Sequence, residues 1–485
     1  MLHVASEVAP FAQTGGLADV VAGLPAAQAD GHGITTAVLV PLYRHVPAKL
    51  TAAGHPLAER HPLRLEVGVH AFDAALRVTT IGRVRYGFLE CAALFDRDGT
   101  LYGPTGTAEF TDNHVRFAAL GKAAIVAGDR LVGGAPDVLH LHDWQAGAAA
   151  IFARQSQPRS TGARIVTTIH NLAYRGIFPK SVMSELGLPW PLFTPEQIEF
   201  YDQVSFLKAG LALADAVTTV SPSYAREILT PERGEALDGF LRWNVQRLVG
   251  ITNGIDTAAW DPASDPALPA AFARGDLAGK AVCRAAVLRE FNLTAPDDEP
   301  VIAVIARMTD QKGLDLVADI VPELARLRAR LIVLGSGDPA LEDRFRYLAD
   351  VFRQHVALRI GFDHALSHRL YAGADLFAMP SRFEPCGLGQ LYAMRYGTIP
   401  VVHAVGGLRD TVIDPGDDEL AAGRGTGVRF SPATGLALAR GLERAVKLFR
   451  DRDARAAIQR AAMARDSSWL AAAQQYVQLY RSLTA

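Results

Sequence analysis

Short β-branched and apolar runs recur along the whole chain, separated by longer stretches of helical character. This alternation constrains the fold more than any other feature. In the first half the runs are TTAVLV (Thr35–Val40), DVLHLH (Asp137–His142), RIVTTIH (Arg164–His170) and DAVTTV (Asp215–Val220). After the turn at Asn253-Gly254 the pattern restarts with VIAVIAR, RLIVLG, VALRIG, DLFAMP and IPVVHA. Parallel strands need long crossovers, and a helix supplies one while covering a face of the sheet. The alternation therefore predicts an α/β chain with parallel sheets covered on both faces. At 485 residues it exceeds one ordinary core, and two doubly wound domains of about 200 to 250 residues are expected. No close internal repeat relates the halves.

Lys and Arg (49) nearly balance Asp and Glu (51), for a formal charge of −2. That balance gives no sign of a nucleic-acid footprint or an anionic-membrane surface, so an anionic ligand must be met by a few placed cations. The cysteines Cys91, Cys283 and Cys386 are few and unevenly spaced, which fits a reducing compartment and gives neither a disulfide framework nor a zinc spacing. The chain enters a strand without a signal-like leader, and no apolar stretch is long enough to span a bilayer. A soluble cytoplasmic protein is expected. The polar passage 261–280 reads as a surface excursion and the acidic, glycine-rich segment 414–427 as a loop.

Ligands of open α/β sheets bind beyond the carboxyl ends of the strands. Five unusual clusters fall at such ends: Ser6–Asp19, His142-Asp143-Trp144, His170-Asn171, Arg307–Lys312 and Ser381–Gln390. In the last, SRFEPCGLGQ places Glu384 just beyond a buried strand, with Gly387 and Gly389 opening a helix whose N–H groups would face an anion. Gly15-Gly16 opens another helix near the N-terminus. Arg307 and Lys312 share one loop and suit a diphosphate leaving group. His170 could present its imidazole or its main-chain carbonyl to a sugar, against the alternative of a structural hydrogen-bonder. His140 and His142 should share one side of a strand, but no third ligand is evident nearby, so no metal site is expected. Asp96-Arg97-Asp98 reads as a solvated loop. A dinucleotide-binding G-x-G-x-x-G after the first strand is missing.

Taken together, HVASEVAPFAQTGGLADV, HDWQAG, HNLAYRG, FLKAGLALAD, TVSPSYAREI, NGID, ARMTDQKGLDL, LGSGDP, SRFEPCGLGQLYAMRYGTIP, GGLRDTV and the C-terminal Ser468-Trp469 resemble bacterial glycogen synthases and plant starch synthases. The resemblance implies the GT-B fold, with two Rossmann-like domains facing an interdomain cleft. They would comprise residues 1–252 on the acceptor side and 256–466 on the nucleotide-sugar side, with a C-terminal helix, 467–485, packing back on the first domain. It implies transfer of glucose from ADP-glucose to the non-reducing end of an α-1,4-glucan with retention of anomeric configuration; with Arg307 and Lys312 available to neutralise phosphate, no divalent metal is required, and no cofactor is expected. By position, Glu384 would support the charged transition state, Arg307 and Lys312 would hold the diphosphate, and Gly387 and Leu388 would bind phosphate through their backbone. His170, Asn171 and Asp143 would line the sugar pocket, and Gly15, Gly16 and Asp19 would close over the donor. Tyr102 would approach the ligand, and Gln13, Asn253 and Cys386 complete the donor-binding set. Asn253-Gly254 would lie near a hinge.

Three positions depart from the family pattern. Gln13 stands where the family carries a lysine, so a cation near the diphosphate is missing. Gly389 and Phe362 stand where a threonine and a tyrosine are common, and each removes a hydroxyl. Two alternatives stay open: UDP-glucose or another acceptor as substrate, and a silent glucan-binding scaffold.

Overall fold

The computed structural model describes residues 1–106, 108–156 and 162–484. It divides into two compact units, one formed by Met1–Gly254 with Trp469–Ala485 and the other by Ile255–Ser468. Ala485, the end of the expected C-terminal segment, lies outside the described residues.

In the first unit the strands are β1 (Leu2–Val4), β2 (Ala37–Pro41), β3 (Glu59–Val67), β4 (His70–Ile81), β5 (Val84–Glu90), β6 (Val138–His142) and β7 (Arg164–Ile169), then β8 (Ile177–Pro179), β9 (Glu199–Phe200), β10 (Gln203–Ser205), β11 (Ala216–Thr219) and β12 (Leu248–Gly250). They form a nine-stranded sheet, β12-β11-β7-β6-β1-β2-β5-β4-β3, and a small sheet, β8-β10-β9. The large sheet is parallel from β12 to β5, while β3 and β4 add an antiparallel edge. β1, β2 and β6 are buried along their whole length, and a strand covered on both faces reads as a continuous apolar run. The C-terminal helix Trp469–Thr484 returns to this unit. Its Trp469 and Tyr476 join Val20 and Leu24 of the helix Gly16–His32 in one buried cluster.

The second unit has β13 (Val301–Ile305), β14 (Arg330–Gly335), β15 (Val356–Ile360), β16 (Leu376–Met379), β17 (Ile399–His403) and β18 (Val428–Phe430). They make one parallel sheet, β15-β14-β13-β16-β17-β18. In each unit the strand order reverses at one place, between β1 and β6 in the first and between β13 and β16 in the second. Such a switch point opens a crevice at the carboxyl ends of its two strands.

Two loops carry more structure than expected. Within 261–280, Asp265 and Phe272 are buried: Asp265 accepts from the Tyr396 hydroxyl at 2.5 Å and pairs with His368 Nδ1 at 2.6 Å. These contacts, made to residues far along the chain, anchor a passage that otherwise runs over the surface. Within 414–427 the short helix Asp417–Ala421 forms. Asp96 and Asp98 both pair with the exposed Arg44, on the protein surface. Among the described residues no helix is long and apolar enough to cross a membrane.

Candidate active site

The second unit gathers its functional groups at the β13/β16 switch point. The loop after β13 carries Arg307 and Lys312, and the loop after β16 carries Glu384. They are tied together by Arg382, whose backbone N–H donates to the Gln311 carbonyl at 2.8 Å and whose guanidinium clamps both oxygens of Asp315 at 2.6 and 2.7 Å. This tie seats the Lys312 ammonium 2.7 Å from Glu384 Oε2. Ser381 Oγ donates to the same oxygen at 2.8 Å, and the Ser381 carbonyl bonds His403 Nδ1 at 2.7 Å. The Glu384 side chain is only 6% exposed, so its carboxylate depends on these two donors. Arg307 is exposed and has no ion-pair partner among the described residues.

The backbone beyond Glu384 turns tightly. Gly387 has φ +73°, and a Cβ there would lie 2.5 Å from Gln390 Oε1, so a side chain would be both strained and crowded. Buried Gln390 holds the turn by donating to the Cys386 and Gly387 carbonyls at 3.1 and 2.9 Å. The helix Gly389–Arg395 then begins at Leu388 with no side-chain cap, which leaves its first N–H groups for another partner. Cys386 is buried. Gly406, at φ +41°, packs against the Glu384 carbonyl, which a Cβ would meet at 2.0 Å. Gly389 faces the Phe377 ring and the Tyr371 hydroxyl, at 3.0 and 3.1 Å from its would-be Cβ, so a larger residue requires those rings to shift.

In the first unit the clusters lie at the ends of β1, β6 and β7, around the other switch point. Buried Glu7 organises the glycine-rich loop. One oxygen accepts from the Thr14 N–H at 2.7 Å and the Gly15 N–H at 3.3 Å, and the other from the Thr14 and Tyr102 hydroxyls, both at 2.5 Å. Tyr102, expected to approach a ligand, thus spends its phenol on Glu7 and on Ser6 Oγ at 2.8 Å. Gly15 and Gly16 are exposed, and a Cβ at Gly15 would meet nothing within 4 Å. Gln13 donates its amide to Asp19 at 3.2 Å. Burial, and then the Glu7 charge, pushes the Asp19 carboxyl up to about 7.

Asp143 has φ +57°, a left-handed conformation uncommon outside glycine and concentrated at functional positions. Its Oδ1 accepts from the His170 N–H at 2.7 Å, which fixes the turn after β7. Burial raises its carboxyl to about 7, against the lowering effect of the His170 and Asn171 N–H groups. Asn171 Oδ1 accepts from the Ala173 N–H at 3.1 Å. Asn253 is buried at the end of this unit with its Oδ1 unbonded.

His170 is the outer end of a histidine chain. Its Nε2 lies 3.0 Å from His142 Nδ1, and His142 Nε2 lies 3.0 Å from His3 Nδ1. His140 and His142 share one side of β6, as alternation requires, with ring centroids 4.2 Å apart. The third imidazole that the sequence left unfound is His3, which pairs in register with His140 across β1 and β6. Among the described residues, His3, His140 and His142 bring ligating atoms within 4.8 Å of one another. Their ring nitrogens already hold hydrogen bonds, to one another, His170, Gln28, Thr168 and Tyr480. A metal ion would have to break these, so the cluster does not fit one.

Sequence comparison places this arrangement. A family model described as starch synthase catalytic domain matches residues 1–243, and one described as glycosyl transferases group 1 matches residues 289–463. The glycogen synthase of Anaeromyxobacter dehalogenans strain 2CP-C is 49% identical, covering 100% of this chain and 99% of that one. The glycogen synthase of Rhodopseudomonas palustris strain BisB18 is 43% identical, covering 100% and 97%. The solved catalytic domain of starch synthase IV from Arabidopsis thaliana, bound to ADP and acarbose, superimposes with a TM-score of 0.88 at 32% identity, covering 100% and 99%. The chain belongs to the glycogen synthase and starch synthase family and is a glucosyltransferase of the GT-B fold.

Proposed function

We propose that this protein transfers glucose from ADP-glucose to the non-reducing end of an α-1,4-glucan, with retention at the anomeric carbon. The observation that carries the reading is the Lys312–Glu384 pair at 2.7 Å, on the loop that also carries Arg307: two cations and one buried carboxylate at a strand-order reversal. Arg307 and Lys312 bind the diphosphate and stabilise the charge it gains as the glycosidic bond breaks. The uncapped start of the helix Gly389–Arg395, with the backbone of Gly387 and Leu388, receives a phosphate oxygen. Glu384 interacts with the donor sugar and stabilises the oxocarbenium-like transition state. Among the described site groups no second carboxylate is placed as a nucleophile, so attack comes from the face of the leaving group. The departing phosphate takes the proton of the incoming 4-hydroxyl, and the protein supplies positioning and charge.

In the first unit, Asp143, His170 and Asn171 hold the sugar, while Gln13, Gly15, Gly16 and Asp19 cover the donor. The open space at Gly15 supports this role, because the protein's own packing does not require a bare backbone there. Asn253 and Cys386 complete the donor side, and Tyr102 acts through Glu7. With two cations on the diphosphate, the reaction needs no divalent metal. The three cysteines and balanced charge support a cytoplasmic setting.

A second reading, UDP-glucose as donor, draws on Gln13, which removes a charge from the donor loop. The test is incorporation of labelled glucose into glycogen from ADP-glucose and UDP-glucose at equal concentration, without added metal. Preference for ADP-glucose is the expected result. Preference for UDP-glucose would replace the donor assignment, and no transfer from either would overturn the proposal.

A further inference from the structure

The histidine chain behind His170 does not stop at His3. His3 Nε2 lies 2.9 Å from the carbonyl oxygen of the buried Gln28 amide, on the helix Gly16–His32. The other side of the same amide donates from Nε2 to the Tyr480 hydroxyl at 3.2 Å, on the C-terminal helix. Tyr480 in turn meets His140 Nδ1 at 2.8 Å, His140 Nε2 meets Thr168 Oγ1 at 2.6 Å, and Thr168 meets Thr218 Oγ1 at 2.6 Å. One carboxamide thus heads two buried branches. Burial holds His3 and His170 down to about 3, and His140 and His142 well below the usual imidazole range. All four rings are therefore neutral near pH 7, and each carries a single N–H.

With one proton per ring, the amide dictates every proton position. The Gln28 oxygen can only accept, so His3 donates from Nε2 and accepts at Nδ1. His142 then donates from Nε2 and accepts at Nδ1, and His170 donates from Nε2. On the other branch Tyr480 accepts from Gln28 and donates to His140 Nδ1, and His140 donates from Nε2 to Thr168. Turning the amide over would reverse every donor in both branches.

We propose that Gln28, His3 and His142 are positioning residues that hold His170 in its Nε2–H tautomer, leaving Nδ1 as an acceptor. Among the described residues Nδ1 of His170 has no hydrogen-bond partner, so it is open to a hydroxyl donor. This rests on the reading that His170 meets the substrate.

The test begins with the ligand-free full-length protein, labelled with ¹⁵N-histidine, in which long-range ¹H–¹⁵N correlation spectra report the tautomer of each ring. The His170 signals are assigned with His170→Gln. Wild-type His170 should be a single Nε2–H tautomer, and an Nδ1–H form or an even mixture would overturn the proposal. Gln28→Glu accepts on both sides, so it should keep His170 as Nε2–H while turning His140 to Nδ1–H. A structural role for the side chain would not move the two branches apart in this way, and unchanged tautomers at both rings would refute the relay. If that variant does not fold, Gln28→Met serves instead: it removes the amide oxygen that holds His3, and His170 should then show both tautomers, whereas a single Nε2–H form would refute control by Gln28. In kinetics, His142→Phe should lower kcat about tenfold with the donor KM within about twofold, because His170 loses its fixed partner but the diphosphate groups are untouched. The predicted tautomers with an unchanged kcat in that variant would keep the relay and remove His170 from the reaction.

Discussion

Replacing Lys312 by methionine should destabilise the second unit and stop transfer, and the two effects can be separated. The ammonium lies 2.7 Å from Glu384 Oε2, with side-chain exposures of 19% and 6%. Without it the carboxylate keeps one hydroxyl donor, Ser381. Removing one partner of a buried pair costs about 3 to 5 kcal/mol, because the remaining charge is uncompensated. Lys312 is partly reached by water, which favours the lower end, about 3 kcal/mol. For a unit of this size about 1 kcal/mol moves the midpoint by roughly 2 to 4 °C, so Lys312→Met should lower its transition by about 6 to 12 °C. Adding Glu384→Gln removes the orphaned charge, and the double variant should regain most of the loss, a coupling of about 2 to 3 kcal/mol. Activity should remain absent in both, since each lacks groups assigned to the reaction. Differential scanning calorimetry at pH 7.5 reads the stabilities. A single variant within about 1 °C of wild type, or a double variant no better than the single, would refute the buried-pair reasoning.

The Asp143 carboxyl, held at about 7 by burial, keeps its proton in the fold where the unfolded chain has lost it. Stability should therefore fall as pH rises from about 4 to about 7 and level off above. Asp143→Asn should remove that slope and gain up to about 4 kcal/mol relative to wild type between pH 4 and pH 8; parallel melting profiles would contradict it. Glu7→Gln should weaken the hold on Thr14 and Gly15, raise the donor KM several-fold and lower the Asp19 pKa, because Glu7's charge helps to raise it. A ¹³C titration of Asp19 and donor kinetics check both halves. Gln13→Lys should place an ammonium beside Asp19 and tighten donor binding about tenfold, the scale of one charge-assisted contact; unchanged affinity in calorimetric titration would show that this loop is rebuilt around glutamine.

Much of the candidate site is legible in the sequence because strand ends are legible. Arg307, Lys312 and Glu384 each follow an apolar run, and the rule that ligands sit beyond carboxyl ends singles them out before any fold is known. Strand order is what a single sequence hides. That β1 lies between β6 and β2 brings His3 beside His140, so a third imidazole from residues far apart in the chain escapes a local search. Glu7 lies inside a quoted motif, yet its role depends on Tyr102 folding back across 95 positions to meet it. The passage 261–280 looks exposed because Asp265 is charged, but its partners His368 and Tyr396 lie more than 100 positions on. The antiparallel edge β3-β4 is likewise hidden, since long polar-flanked strands at a sheet edge carry no crossover signal.

The most direct test of the account is extension of maltoheptaose by ADP-glucose in the presence of a metal chelator, followed by ¹H NMR. One equivalent of ADP per glucose transferred, with the new residue α-1,4-linked at the non-reducing end, is the predicted result. A β-linked product, dependence on added metal, or ADP release without chain extension would contradict a retaining, metal-free glucan synthase.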